Sequence, residues 1–167
     1  DALSDQNTPL PHMLPDPATF ERDMGALGIE NQDAIVVCDG SGVNLSAPRV
    51  WWTFRVFGHD RVTVLDGGLG KWRAEGRPLE SGESRRAPRR FAARLRPGMV
   101  RSLDEIRLFL GSPAVQILDA RSTGRFEGRE PEPRAGVRSG HLPGAKNLPF
   151  TELVAPDGTV LPPERLA

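Results

Sequence analysis

Apolar and polar positions along this chain switch between two periods, and the switches outline alternating helices and strands. Phe20, Met24 and Leu27 recur at helical spacing behind Asp16-Pro17. That pair starts helices, because the Asp side chain accepts from the first unpaired amides and Pro suits the first turn. Gly28 predicts the end of the segment. Ala34-Ile-Val-Val-Cys38 is a short continuous apolar run, the pattern of a strand buried on both faces. Asp39-Gly-Ser-Gly-Val-Asn44 forms a tight glycine loop. Ser46 is placed to cap the next helix, with Pro48 early in it and Val50, Trp51, Phe54 and Phe57 as its buried stripe up to Gly58. Arg61-Val-Thr-Val-Leu65 predicts a second strand of parallel type, and Asp66-Gly-Gly68 a turn. Leu69 and Trp72 belong to a short helix that closes at Gly76. This order predicts an α/β fold with a parallel sheet flanked by helices.

From Pro78 to Gly98 the pattern is lost. The stretch is polar and broken by Pro78, Pro88 and Pro97. Between Ser84 and Arg101 it holds seven Arg and no acid. With no aromatic interleaved except Phe91, this reads as a solvated linker wrapping a surface and not as a nucleic-acid patch. Periodicity returns at Ser102-Leu-Asp-Glu105, a capping box that opens a helix through Leu110. Val115-Gln-Ile-Leu118 predicts a strand ending at Asp119. Gly140-His-Leu-Pro-Gly144 turns into a second strand over Ala145–Leu148, and Pro149–Leu153 starts a short helix.

Composition narrows the function classes. Lysine plus arginine and aspartate plus glutamate balance at 22 each, so no net field argues for nucleic acid or a membrane surface. No apolar run approaches the ~18 residues of a membrane span. One cysteine, Cys38, cannot form an internal disulfide or a thiolate zinc cluster, so a reducing compartment is compatible. The first residues lack an initiator Met and a basic-then-apolar leader, and the chain reads as a fragment with both ends cut.

The chemistry concentrates in the loop after Asp119. Arg125 and Arg134 each present a planar, permanently charged fork suited to a carboxylate or another small oxyanion. Their other reading is surface ion pairs with Glu130 or Glu132. Arg121, beside Asp119, is expected to tie the loop down through ion pairs. Cys38 reads as a small buried hydrophobe, since reactivity would need exposure and a basic neighbour. His12 stands in a loop, His59 reads as a surface turn residue, and His141 reads as structural, its ring hydrogen-bonded to a turn. Trp51, Trp52 and Trp72 are assigned to the core or to a domain interface. Asp39-Gly-Ser-Gly lacks the lysine a P-loop supplies to phosphates.

Gly124-Arg-Phe, Glu130-Pro-Glu-Pro-Arg134, Gly140-His-Leu-Pro-Gly144, His12-Met-Leu-Pro15 and Ser46-Ala-Pro-Arg-Val-Trp-Trp52 together resemble the tandem-domain rhodaneses and 3-mercaptopyruvate sulfurtransferases. The resemblance covers nearly the whole chain. It implies two incomplete rhodanese domains joined by a linker. Residues 1–78 match the C-terminal part of a first, catalytically silent domain, 79–98 the linker, and 99–167 the N-terminal part of a second, catalytic domain. In that alignment Asp39 stands where an active domain carries its nucleophilic cysteine, and the active loop is expected beyond Ala167. The resemblance also implies transfer of sulfur from 3-mercaptopyruvate to a thiol or cyanide acceptor through a cysteine persulfide, with no metal and no organic cofactor. Arg125 and Arg134 would hold the substrate carboxylate. His12 would be an acid/base or orienting group, with Asp1 beside it in the family pattern. Thiosulfate-type rhodaneses share the motif up to Glu-Pro-Glu-Pro but usually lack the arginine at Arg134, which favours mercaptopyruvate. Thiosulfate sulfurtransfer, and a silent module binding a partner or small anion, are the alternatives. A cytoplasmic location, or a mitochondrial one in a eukaryote, completes the expectation. The oligomeric state is left open.

Overall fold

A computed structural model describes residues 4–5, 7–10, 12–41, 46–83 and 85–166, and divides the chain into two compact units, residues 1–100 and 101–167. In the first unit, α1 (Pro17–Ala26) begins where Asp16 accepts from the Thr19 amide at 3.0 Å. It ends before Gly28, whose φ of 74° is the left-handed conformation that releases a helix. α1 buries Phe20 and Met24, while Leu27, expected on the same stripe, lies past the last turn and is exposed. β1 (Ile35–Val37) and β2 (Val62–Val64) pair in parallel with Ile35 opposite Val62. α2 (Ala47–Val56) connects them, and α3 (Gly68–Ala74) follows.

The expectation of a strand buried on both faces is corrected here. Ile35 and Val37 pack against the core, but Val36 points the other way and is 63% exposed. Successive strand residues face opposite sides, and among the described residues only one side is covered. Trp51 is likewise not in the buried stripe of α2. It lies at the surface with its indole N–H donating to the Val62 carbonyl at 3.1 Å, tying helix to strand. Thr53 and Val56 are buried in its place.

Four phenylalanines make the centre of this core. Phe20 stacks on Phe57 at 4.4 Å between ring centroids and meets Phe54 and Phe91 edge-on at 5.4 and 5.6 Å. Offset and edge-on contacts of this kind suit the ring quadrupoles. Phe91 comes from the segment expected as a solvated linker, which is therefore corrected in part. Residues around it are exposed, but its backbone is docked on the first unit. The Arg89 amide donates to Gly25 O, Arg94 to Phe57 O and Arg96 to Val56 O. Asn31 completes the docking by exchanging side-chain hydrogen bonds with the backbone of Ala92. His59 is also corrected: it is buried against Phe54 and Phe91, with Nε2 facing the Arg61 carbonyl at 3.3 Å.

In the second unit, α4 (Leu103–Phe109) opens on a complete capping box, Ser102 and Glu105 satisfying each other's amides. β3 (Leu118–Asp119) and β4 (Lys146–Asn147) pair in parallel. The expected strands are longer, but only two residues of each register. Amides of Lys146 and Phe150 extend the ladder to Ile117 and Ala120. α5 (Thr123–Phe126) follows β3 directly, its first turn capped by Ser122. A 3₁₀ turn spans Phe150–Leu153, an antiparallel bridge joins Val154 to Val160, and α6 (Pro163–Leu166) follows. The buried core cluster belongs entirely to the first unit, whereas Leu103, Leu108, Leu118 and Val137 of the second are exposed.

Gly25 tests the docked segment. A Cβ there would lie 2.6 Å from the Arg89 carbonyl oxygen. Helix propensity alone predicts that Gly25→Ala stabilises by about 1 kcal/mol. The backbone clash reverses the sign, and we expect a net loss of about 1–2 kcal/mol, read from the denaturant midpoint. A rise in midpoint would show that the segment is not held against α1.

Candidate functional site

Each unit places one charged loop at the carboxyl end of a parallel strand, the edge where loops of α/β sheets gather functional groups. In the first unit the loop is organised by Asp39, two residues past β1 and buried at 5% exposure. Its carboxylate accepts from the amides of Ser41 at 2.6 Å, Ser46 at 2.6 Å and Ala47 at 3.1 Å. Ser46 was expected to cap α2, but its side chain makes no cap bond. The cap is supplied from seven residues away by Asp39. Burial alone would raise this carboxyl's pKa, but the bonds from Ser41, Ser46 and Ala47 outweigh it and pull it from the ordinary 3.8 to about 2. The sequence signal was present: an acid at a strand end, followed by glycines and a helix.

Cys38, expected as a buried hydrophobe, is exposed, with Sγ 3.9 Å from the Asp39 carbonyl oxygen. His12 is exposed and adopts φ 61°, a left-handed conformation unusual for a residue with a Cβ. The Arg49 guanidinium, itself over the Trp52 ring at 5.7 Å, donates to the His12 carbonyl and holds that turn. Asp1 lies outside the described residues.

In the second unit the loop is built on a chain of four charges. Asp119, at the end of β3, accepts from Arg121 Nε at 2.9 Å, and Arg121 Nη1 donates to Glu132 Oε1 at 2.6 Å. Glu132 Oε2 accepts from Arg125 Nη2 at 2.5 Å, with Arg125 Nε 3.4 Å from Oε1. The Arg125 hydrogen bond, with Arg121 nearby, holds the Glu132 carboxyl below its ordinary value. Arg121 does the same for Asp119. Arg121 also donates to the Gly140 carbonyl, which pins the return of the loop. Its tying role is thus present in the structure. Glu130 behaves differently from Glu132: it accepts from Ser122 Oγ at 2.8 Å and packs over Gly124.

His141 stacks on Phe126 at 3.7 Å and places Nδ1 2.7 Å from the Phe126 carbonyl, the structural role expected of it. Arg134 is exposed, and its side chain makes no hydrogen bond or ion pair among the described residues. A cavity of about 490 Å³ in this unit is lined by Arg121 and by the run from Val137 to Leu142, and neither Arg125 nor Arg134 lines it. Arg125, in α5, and Arg134, in the loop that follows, therefore differ in state, the first paired and the second open. His12 belongs to the other unit. Among the described residues no three His, Cys, Asp or Glu side chains gather as a metal site, and no helix is long and apolar enough to cross a membrane.

Residues 5–75 match the rhodanese-like domain. The chain as a whole is homologous to the 3-mercaptopyruvate and thiosulfate sulfurtransferases. It is 44% identical to human 3-mercaptopyruvate sulfurtransferase, over 99% of this chain and 56% of that protein. It is 42% identical to bovine thiosulfate sulfurtransferase, over 97% of this chain and 55% of that protein. The crystal structure of SseA from Escherichia coli, described as a 3-mercaptopyruvate sulfotransferase with the rhodanese fold, matches with a TM-score of 0.87 and 39% identity, over 99% of this chain and 61% of that one. The chain spans about half the length of the curated relatives it matches.

The Asp39 cradle carries a pH signature. A carboxyl whose folded pKa is depressed stabilises fully above its unfolded value near 3.8, and that stabilisation is lost as pH falls through about 2. Asp39→Asn keeps one acceptor but turns an NH₂ toward amides that need acceptors. It should cost about 1–3 kcal/mol at neutral pH. It should also reduce the slope of stability against pH below about pH 4. Urea midpoints measured down to acid pH check both, and an unchanged slope would show that Asp39 is not the group titrating there.

Proposed function

We propose that these residues are part of a sulfurtransferase that takes sulfur from 3-mercaptopyruvate and passes it to a thiol or cyanide acceptor through a cysteine persulfide. The observation that carries this reading is the 44% identity to human 3-mercaptopyruvate sulfurtransferase across 99% of the chain. Residues 1–78 are read as the end of a silent first domain, 79–98 as the connection, and 99–167 as the start of the catalytic domain. The persulfide forms on a cysteine outside these residues. Its thiolate attacks the donor sulfur, the carbon–sulfur bond breaks, and the electron pair leaves with pyruvate as its enolate, which takes up a proton. An acceptor thiolate or cyanide then removes the outer sulfur and returns the cysteine thiolate.

Arg125 and Arg134 bind the substrate carboxylate in this reading, for which the guanidinium fork is suited. His12 orients or exchanges a proton at the reacting centre, and Asp1 is a further catalytic candidate by its position in the family pattern. The His12 turn, held by Arg49, supplies the fixed backbone such a role needs. Thiosulfate is the second reading, because the bovine thiosulfate enzyme is similar to this chain almost to the same degree. The silent-module reading draws on Asp39, since a carboxylate cannot accept and hand on sulfane sulfur.

Arg134 separates the two donors. In the protein that carries this sequence together with its persulfide cysteine, Arg134→Ala should raise KM for 3-mercaptopyruvate about tenfold, the loss of one charge-assisted contact. The effect on thiosulfate should be smaller, and equal effects on both donors count against a carboxylate clamp. In the same assay Cys38→Ser should leave turnover unchanged. Loss of thiocyanate production in that variant would move the persulfide to Cys38 and overturn the domain assignment.

A further inference from the structure

The four charges from Asp119 to Arg125 alternate in sign and sum to zero, and their side chains are withdrawn from water, Glu132 most of all at 6% exposure. An arginine meant for an anionic substrate is therefore already neutralised by its own chain. By charge alone Glu132 is counterproductive, since a substrate carboxylate must approach a carboxylate. Its contacts suggest what it supplies instead. Glu132 meets Arg125 along the Nε–Nη2 edge, so the guanidinium can no longer rotate about its stem, and Nη1 makes no hydrogen bond among the described residues. Glu132 is itself held from behind by Arg121. It stands between Pro131 and Pro133, which fix φ on either side and restrict Glu132 to extended backbone.

We propose that Glu132 is the positioning residue of the carboxylate clamp: it locks Arg125 by one edge so that the Nη1 end is aimed at the substrate, while Arg134 alone supplies uncompensated charge. The inference rests on the reading of Arg125 and Arg134 as carboxylate ligands. It assigns the two arginines different tasks, direction to Arg125 and attraction to Arg134. Arg134 suits the second task, being exposed and without a side-chain partner among the described residues.

The sign of one kinetic change tests it. Glu132→Gln removes a negative charge beside the clamp but offers a single oxygen to two guanidinium groups. If Glu132 merely neutralised Arg125, this variant would bind 3-mercaptopyruvate more tightly. As a positioning residue, its loss should raise KM about tenfold with kcat within about twofold. Glu132→Asp keeps the charge but is one methylene too short to reach both arginines, and should raise KM in the same direction. It also carries the test if the glutamine variant does not fold. The Arg125 Nε–H resonance in a ¹⁵N–¹H spectrum of the chain should shift and exchange faster with water in both variants. An unchanged or lowered KM, or a fall in kcat and thermal midpoint with KM unmoved, overturns the proposal. Arg125→Ala tells the two levels apart. If it raises KM and the Glu132 variants do not, only the positioning role falls. If it leaves KM unchanged, the carboxylate reading falls with it.

Discussion

A charge withdrawn from water must be matched by opposite charge or by hydrogen bonds, and both loops of this protein are arranged around that constraint. Asp39 meets it with backbone amides and Glu132 with two guanidinium groups. The solutions have different consequences. Amides are fixed by the fold, so Asp39 ties the start of α2 to the turn after β1. The Leu69 amide, donating to the Asp39 carbonyl, adds α3 to it. Guanidinium groups sit on long stems, so Glu132 instead determines where two mobile side chains point. The first device stabilises a loop, and the second sets the direction of the Arg125 guanidinium.

What was legible in the sequence was what is local. The caps at Asp16 and Ser102 act over three residues, and both are present as read. The parallel pairs were legible from the alternation of strand and helix, since a parallel connection needs a crossover. The errors fall where a side chain's environment is set by distant chain. Phe91 and His59 are buried because residues from α1, α2 and the docked segment meet over them, 30 residues or more apart for Phe91 and His59 themselves. Val36 and Cys38 are exposed, which the apolar run could not reveal because it does not say whether a second layer covers the strand. The ion pair of Arg125 was among the two readings of that residue. Its partner could be narrowed only by the fold, because Glu130 and Glu132 are equivalent by type and differ in which face of the loop they reach.

The pairing of Arg125 also changes how its two readings relate. A surface ion pair and a ligand-binding arginine were opposed alternatives, yet the observed contact uses one edge of the guanidinium and leaves the other end open. An arginine has five donors in a fixed plane, so a single carboxylate need not exhaust it. Pairing and binding are therefore compatible at this residue. The entropy of ordering the side chain is met in the folded protein and not at the moment a ligand arrives.

The same constraint governs what the loop after β1 does with its converging amides. Converging amides at a helix start favour negative charge, and in a persulfide enzyme that charge belongs to a thiolate. Here the amides of Ser41, Ser46 and Ala47 are already directed to the Asp39 carboxylate. Cys38 is adjacent in sequence, but its sulfur faces a carbonyl oxygen and not those donors. Moving a thiol by one residue therefore does not move it into the cradle. The negative charge on which these three amides converge is the chain's own Asp39 carboxylate. Two of those amides begin α2, so the contact serves as the helix's cap.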